Sequence, residues 1–356
     1  MRRAAAIRPE TLACDGTDQL SDIPVLRVED LVTRFGPPGK GLIAVDHVSF
    51  SVRRGETLGL VGESGSGKSA TAMSLLRLVG RPGHIEGGRV VLNGVDILPL
   101  SQDDIRKRRG TEYGMVFQNP MTALNPVFSI GWQMGEALKA HGRSHGREKI
   151  IENALRDVGM PDPHRQARSF PHQMSGGMRQ RVVIAMGLIN EPQLLIADEP
   201  TTALDVTIQA QVLELMKNLT RDKGAALLLI THNMGVIARM CDRVAVMYAG
   251  EIVEEAPVDE IFENARHPYT RGLLRSVPDG ARPREKMPTL PGEPPDMSQP
   301  QTGCRFRPRC AFADERCATH PDLLEIGNGH KSRCWPAQAG EAFDTAGNRS
   351  ETANAV

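Results

Sequence analysis

Residues 62–69 read Gly62-Glu63-Ser64-Gly65-Ser66-Gly67-Lys68-Ser69, the spacing G-x-x-x-x-G-K-[ST] of a phosphate-binding loop. Glycines placed this way let main-chain N–H groups converge on phosphate oxygens with no side chain in the way. Lys68 is then expected to reach the β- and γ-phosphates of a triphosphate, and the Ser69 hydroxyl to meet Mg2+. Ala70 carries the run of main-chain donors into a helix whose N-terminus adds partial positive charge. Further on, the apolar run Leu194-Leu195-Ile196-Ala197 ends in Asp198-Glu199. Asp198, at the strand tip, suits a metal's shell through a bridging water. Glu199, one position on, points differently and can orient and polarise an attacking water. Between the two lies Ser175-Gly176-Gly177, a second helix N-terminus of anion-binding type. Taken singly, these are a glycine-rich turn and an acid-capped strand end. Together they point to hydrolysis of a triphosphate.

The elements that must hold these residues alternate. Strand-like runs cover 25–32, 43–52, 56–61, 89–92, 95–97, 115–117, 194–197, 226–230 and 243–248. Asn93-Gly94 marks a tight hairpin. Helical spacing is predicted over 70–78, 127–169, 176–189, 208–219 and 234–240, with Gly159 and Pro161 stopping one helix. Alternation of this kind implies an α/β fold with a mainly parallel sheet covered by helices. Residues 1–23 read as a tail, the Pro- and Arg-rich stretch past Val277 as a linker, and 338–356 as a disordered tail.

The order of the motifs resembles the ATP-binding cassette family across about residues 25–275. Met174-Ser175-Gly176-Gly177-Met178-Arg179-Gln180-Arg181 sits where that family has its signature motif, Gln118 matches its Q-loop glutamine, Ala203-Leu204-Asp205 its D-loop, and His232 its switch histidine. Phe35 stands where the family stacks an aromatic ring on adenine. The resemblance implies a P-loop NTPase with a RecA-like core, an antiparallel β-subdomain and an inserted helical subdomain at about 127–175, together spanning 24–276. It implies ATP and Mg2+ as ligands, with Ser69, Gln118 and Asp198 around the metal. It also implies that Ser175, Gly176, Gly177, Met178 and Asp205 serve the ATP of a facing subunit. Met178 stands where the family usually has Gln. A thioether cannot replace the amide's hydrogen bonds, so the partner's site is expected to be tuned rather than lost.

The wording of the signature and of Gln118-Asn119-Pro120-Met121-Thr122-Ala123-Leu124-Asn125-Pro126 is similar to the D-type ATPase of bacterial oligopeptide/dipeptide importers. That similarity implies an F-type ATPase partner, two membrane permease subunits and an extracytoplasmic peptide-binding protein. It places the chain peripherally at the cytoplasmic face of the inner membrane. Nickel chelates or glutathione are the alternative cargoes, and a soluble ATPase of repair or translation is the rival class. No apolar run approaches the roughly 20 residues of a membrane span, and Arg8-Pro9-Glu10 interrupts any signal-peptide core. Lys+Arg and Asp+Glu both number 43, and nothing in that balance argues for nucleic acid as the main partner.

Cys304, Cys310, Cys317 and Cys334 are separated by five, six and sixteen residues, with Arg305, Arg307, Arg309 and Arg316 among them. Four thiolates suit Zn2+ or a [4Fe–4S] cluster, and nearby arginines favour thiolates. Free thiols or disulfides are the other readings. The segment at 277–337 resembles the C-terminal extension of the peptide-importer ATPases, which implies an iron–sulfur cluster. Cys14 and Cys241 read as incidental thiols.

Overall fold

The structure, a computed structural model, describes residues 24–37, 39–202, 204–276, 290–299, 301–343 and 349–350. The expected tail at 1–23 and most of the expected linker past Val277 lie outside them.

Chain order begins with β1 (Leu26–Phe35), β2 (Leu42–Val52), β3 (Thr57–Val61), α1 (Lys68–Leu75), β4 (Gly83–Leu92) and β5 (Val95–Asp96). A small antiparallel sheet has the order β2-β1-β4-β5. Asn93 and Gly94 both have positive φ, at 49° and 81°. A tight turn between twisted strands needs that geometry, so the β4–β5 hairpin forms where expected. Next come α2 (Gln102–Arg108), β6 (Tyr113–Val116), α3 (Pro120–Ala123), α4 (Ile130–Lys139), α5 (Arg147–Asp157), α6 (Pro163–Arg168) and α7 (Gly176–Leu188). The helical stretch read at 127–169 is therefore three helices, separated by turns. Ser129 caps α4, accepting from Trp132 N–H at 3.3 Å.

The remainder is β7 (Leu194–Asp198), α8 (Val206–Asp222), β8 (Ala226–Thr231), α9 (Met234–Met240), β9 (Arg243–Tyr248), β10 (Glu251–Pro257), α10 (Val258–Asn264), α11 (Pro268–Arg275), β11 (Leu324–Gly327), β12 (His330–Ser332), α12 (Trp335–Gln338), β13 (Ala342–Phe343) and β14 (Arg349–Ser350). The main sheet runs β11-β12-β10-β9-β3-β8-β7-β6. Its β9-β3-β8-β7-β6 stretch is parallel. Period-2 alternation sends the side chains of each central strand to two different cores. Leu227 and Leu229 pack on the helical side, while Leu228 and Ile230 pack toward the small antiparallel sheet.

The C-terminal extension is not a separate bead. Its β12 pairs with β10, Glu254 opposite Ser332 and Glu255 opposite Lys331, and so widens the main sheet. Three buried glutamates of β10 take partners from the extension. Glu251 meets His320 Nε2 at 2.8 Å, Glu254 meets His330 Nε2 at 2.7 Å, and Glu255 meets Lys331 Nζ at 3.4 Å. A buried carboxylate without such a partner would cost several kcal/mol, roughly. The expectation of disorder from 338 onward needs correction for residues 338–343. Gln338 ends α12 and donates to the Asp322 and Ser332 carbonyls at 2.7 and 2.8 Å, and the buried Phe343 ring meets Phe312 at 4.7 Å between centroids. The composition is small and polar there, but one aromatic is enough to tie the segment down. Residues 344–348 and 351–356 lie outside the described residues.

Candidate active site

Parallel pairing aligns the C-terminal ends of four strands. Val61 sits opposite Thr231, Ile230 opposite Asp198, and Ala197 opposite Val116. One or two residues beyond these ends come Gly62, His232, Glu199 and Gln118. Ligand sites of open α/β sheets form at this edge because loops from neighbouring strands meet there.

The loop after β3 turns directly into α1. Gly67 is the helix N-cap at φ 108°, and a Cβ there would overlap the Ala44 carbonyl, so no other residue fits without displacing the backbone. Lys68, 6% exposed, donates from Nζ to the Gly62 and Glu63 carbonyls at 2.8 Å each and to Ser66 Oγ at 3.3 Å. Burial lowers its pKa, opposed by the nearby Glu199, Asp198 and Glu63 carboxylates. The lysine thus waits on main-chain oxygens in the loop's mouth.

Asp198 is 5% exposed. Burial raises its pKa, the Ser69 hydroxyl bonded to it pulls the other way, and Glu199 adds to the rise. Its Oδ1 has no hydrogen-bond partner. A buried carboxylate oxygen left open beside a serine hydroxyl is the donor chemistry a hard divalent cation takes. Glu199 differs. It holds φ 45°, which turns its side chain away from that of Asp198, and it gathers three partners. Gln118 Nε2 and Thr202 Oγ1 donate to Oε2 at 3.0 and 2.9 Å, and His232 Nδ1 meets Oε1 at 2.9 Å. Burial raises the pKa of Glu199, but the His232 and Thr202 hydrogen bonds outweigh it and hold the carboxyl low. An ionised, oriented carboxylate of this kind can take a proton from water.

Thr202 escaped the sequence reading. Its signal was position alone, three residues after Glu199 in the turn that follows the strand. A base that must be ionised loses activity as pH falls through its pKa. Removing the Thr202 hydroxyl raises that pKa, so Thr202→Val should move the acid limb of kcat/KM to higher pH. ATPase rates from about pH 5 to 8 check this, and an unmoved limb means the hydroxyl does not tune Glu199.

A Brucella ovis protein, provisionally named a peptide import ATP-binding protein, is 49% identical to this chain over 330 residues, covering 88% of this chain and 98% of its own. The chain belongs to the ATP-binding cassette transporter ATPases. The family model for the ABC transporter matches residues 45–202, and that for the oligopeptide/dipeptide transporter C-terminal region matches residues 253–317. A Sinorhizobium fredii protein with a peptide ABC transporter ATP-binding name is 49% identical over 317 residues, covering 87% of this chain and 94% of its own. Among solved structures, the dimeric ATP-binding cassette MJ0796, in a post-hydrolysis state bound to ADP and Pi, superposes with a TM-score of 0.57 at 27% identity, covering 65% of this chain and 98% of that one. This cassette ATPase therefore hydrolyses ATP, and its fold is that of the family.

Other residues singled out in the sequence lie apart from the Glu199 cluster. Ser175 caps α7, accepting from Met178 N–H at 3.3 Å, and Asp205 caps α8, accepting from Ile208 N–H at 3.0 Å. Both caps are exposed. Ala203 of the D-loop lies outside the described residues. Phe35 is half-buried at the end of β1, where Gly83 approaches its ring. Cys241 is buried in the core, whereas Cys14 lies outside the described residues.

Cys304, Cys310, Cys317 and Cys334 all line one small apolar cavity with Phe306, Phe312 and Trp335. Among the described residues, however, no group of three or more His, Cys, Asp or Glu side chains is arranged to hold a metal ion. Burial raises the Cys304 and Cys334 thiols, and the neighbouring cysteines add to the rise. Of the four arginines expected to favour thiolates, Arg307 lines the cysteine cavity, and the other three are engaged with carboxylates. Arg305 pairs with Asp46 and Glu251, Arg309 with Glu63, and Arg316 with Asp314 and Glu341. Oxygen anions, which bind guanidinium bidentately, have won over sulfur.

Proposed function

We propose that this cassette ATPase is the D-type motor subunit of a bacterial importer of di- or oligopeptides, working against an F-type ATPase beneath two permease subunits. The reading is carried by the union, in one chain, of a cassette with the oligopeptide/dipeptide transporter C-terminal region. The names of relatives at 49% identity support the cargo. Among the described residues no helix is long and apolar enough to cross a membrane. In this reading other chains supply the pore, and this one sits peripherally on its cytoplasmic side. A docking face is at hand. Met121, Val127, Phe128 and Trp132 are exposed apolar residues just after Gln118, and the last two rings stack at 3.9 Å. Patches of this kind mark protein contacts.

In this reading Lys68 exchanges the Gly62 and Glu63 carbonyls for β- and γ-phosphate oxygens. The main-chain donors of residues 62–70 cradle the phosphates, and Phe35 meets the adenine. Ser69, Asp198 and Gln118 would hold Mg2+, which when bound would supply positive charge against the phosphate oxygens. Glu199 takes the proton of the attacking water, and His232 senses the γ-phosphate. Ser175, Gly176, Gly177, Met178 and Asp205 complete the ATP site of the partner. Closure of the two ATPases gives the γ-phosphate donors from both sides, and hydrolysis removes that bridge. Gln118, between Glu199 and the apolar docking face, links nucleotide state to the permeases. For the four cysteines the reading is a [4Fe–4S] cluster that staples the extension. It rests on the resemblance of residues 277–337 to the importer extension; the four cysteines share one cavity, but among the described residues no group of three or more is arranged to hold a metal ion.

One preparation tests the whole proposal. The chain is purified anaerobically from its native membrane, and copurifying chains, iron and acid-labile sulfide are measured. Uptake of labelled peptides, nickel chelates and glutathione follows in proteoliposomes. Two permeases, a second ATPase and peptide uptake are expected. A chain without membrane partners overturns the transport reading. Uptake of nickel or glutathione alone overturns the cargo, and cysteines free of iron and sulfide overturn the cluster.

A further inference from the structure

Glu63 is the second residue of the phosphate loop, and three groups from three parts of the fold grip it. Its N–H donates to Tyr269 Oη at 2.8 Å, and its carbonyl accepts from Lys68 Nζ at 2.8 Å. Its carboxylate takes both terminal nitrogens of Arg309, at 2.7 and 3.0 Å. Arg309 comes from the C-terminal extension, 246 residues away, next to Cys310. Its side chain is 4% exposed. Its Nε donates to the Pro291 carbonyl at 2.8 Å, and its guanidinium lies 5.7 Å from the Tyr248 ring centre and 5.8 Å from that of Phe306. A second arginine beside a cysteine reaches the same loop indirectly. Arg305 bonds the Ala249 carbonyl and Asp46. The next residue, Gly250, donates to the Ser66 carbonyl at 2.8 Å and accepts from Asp46 N–H at 2.8 Å.

We infer that Arg309 is a positioning residue for nucleotide binding, through which the C-terminal extension sets the affinity of the phosphate loop for Mg·ATP. A bidentate guanidinium–carboxylate pair fixes both charge and orientation. Without Arg309, Glu63 would present an uncompensated negative charge at the mouth of a site meant for a triphosphate. The loop would also lose one of the two anchors that this aromatic cluster gives it, the other being Tyr269. Glu63 is not among the groups that face the attacking water, so the effect falls on ATP binding rather than on the chemical step. Phe306 packs edge-on against Tyr248, at 5.3 Å, and also lines the four-cysteine cavity. The shape of that cavity is thus linked mechanically to the loop.

A double-mutant cycle tests the pair in the full-length chain, with Mg2+ and a fluorescent ATP analogue titrated at equilibrium. Arg309→Gln and Glu63→Gln should each weaken binding about fivefold or more. The double variant should be no weaker than the worse single variant, because both remove one interaction. Arg309→Lys keeps the charge without the fork and should fall between wild type and Arg309→Gln. In the purified assembly, kcat at saturating ATP should stay within about twofold for the Arg309 variants while KM rises. Unchanged affinity, losses that multiply in the double variant, or a fall in kcat at constant KM each overturn the inference. Should Arg309→Gln not fold, the cycle is run with Arg309→Lys and Glu63→Gln, and the same criteria apply.

Discussion

Glu199→Gln should cut ATP hydrolysis by about 10²–10⁴-fold, the usual contribution of a positioned general base, while leaving Mg·ATP binding close to normal. The amide has the shape of the carboxylate and can still meet Thr202 and His232, so the local fold survives. It cannot accept the water's proton. The variant is therefore expected to hold uncleaved ATP and to accumulate in the closed state. Single-turnover hydrolysis of γ-labelled ATP, with nucleotide binding measured on the same preparation, separates the two effects. Hydrolysis within tenfold of wild type would assign the base elsewhere. A joint loss of binding and hydrolysis would make Glu199 a structural anchor for Gln118, Thr202 and His232.

Lys68→Ala should lower affinity for Mg·ATP by about 10²-fold or more, since charge-assisted hydrogen bonds are each worth roughly 1.5–3 kcal/mol. The folded state should tolerate the change well. Lys68 is buried and its burial disfavours the charged form, so losing it also removes a desolvation cost. Equilibrium binding and a thermal melt together check this. Retained affinity would mean that the lysine stays on the Gly62 and Glu63 carbonyls when nucleotide enters.

The phosphate loop and the Asp198-Glu199 strand end were legible because each is local, with motif, strand and helix all within about a dozen residues. The parallel sheet was legible from apolar runs such as Leu194–Ala197 and Ala226–Ile230. Strand β10 was not. Glu251, Glu254 and Glu255 look like a solvated loop in a linear reading, and their burial rests on partners invisible there: Arg305, His320, His330 and Lys331 of the extension, at least 54 positions later, together with Arg243 and the Arg266 and His267 N–H groups. Arg309 shows the same limit. Its neighbour in sequence is Cys310, which suggested a role in thiolate chemistry, whereas its neighbour in space is Glu63. Long-range ion pairs have no period and leave no local trace. Thr202 lies near Glu199, yet threonine in a turn is so common that nothing singled it out.

The pairing of β12 onto β10 bears on how this protein can be dissected. A shortened chain ending after α11 is not a neutral control for the cassette. It would leave a bare strand margin with unpaired main-chain groups, the kind that recruits other molecules into sticky aggregates, and it would strip Glu251 of both Arg305 and His320, Glu254 of His330 and Glu255 of Lys331. Anyone trimming the molecule to a minimal motor would meet insolubility first, and could mistake it for lost catalysis.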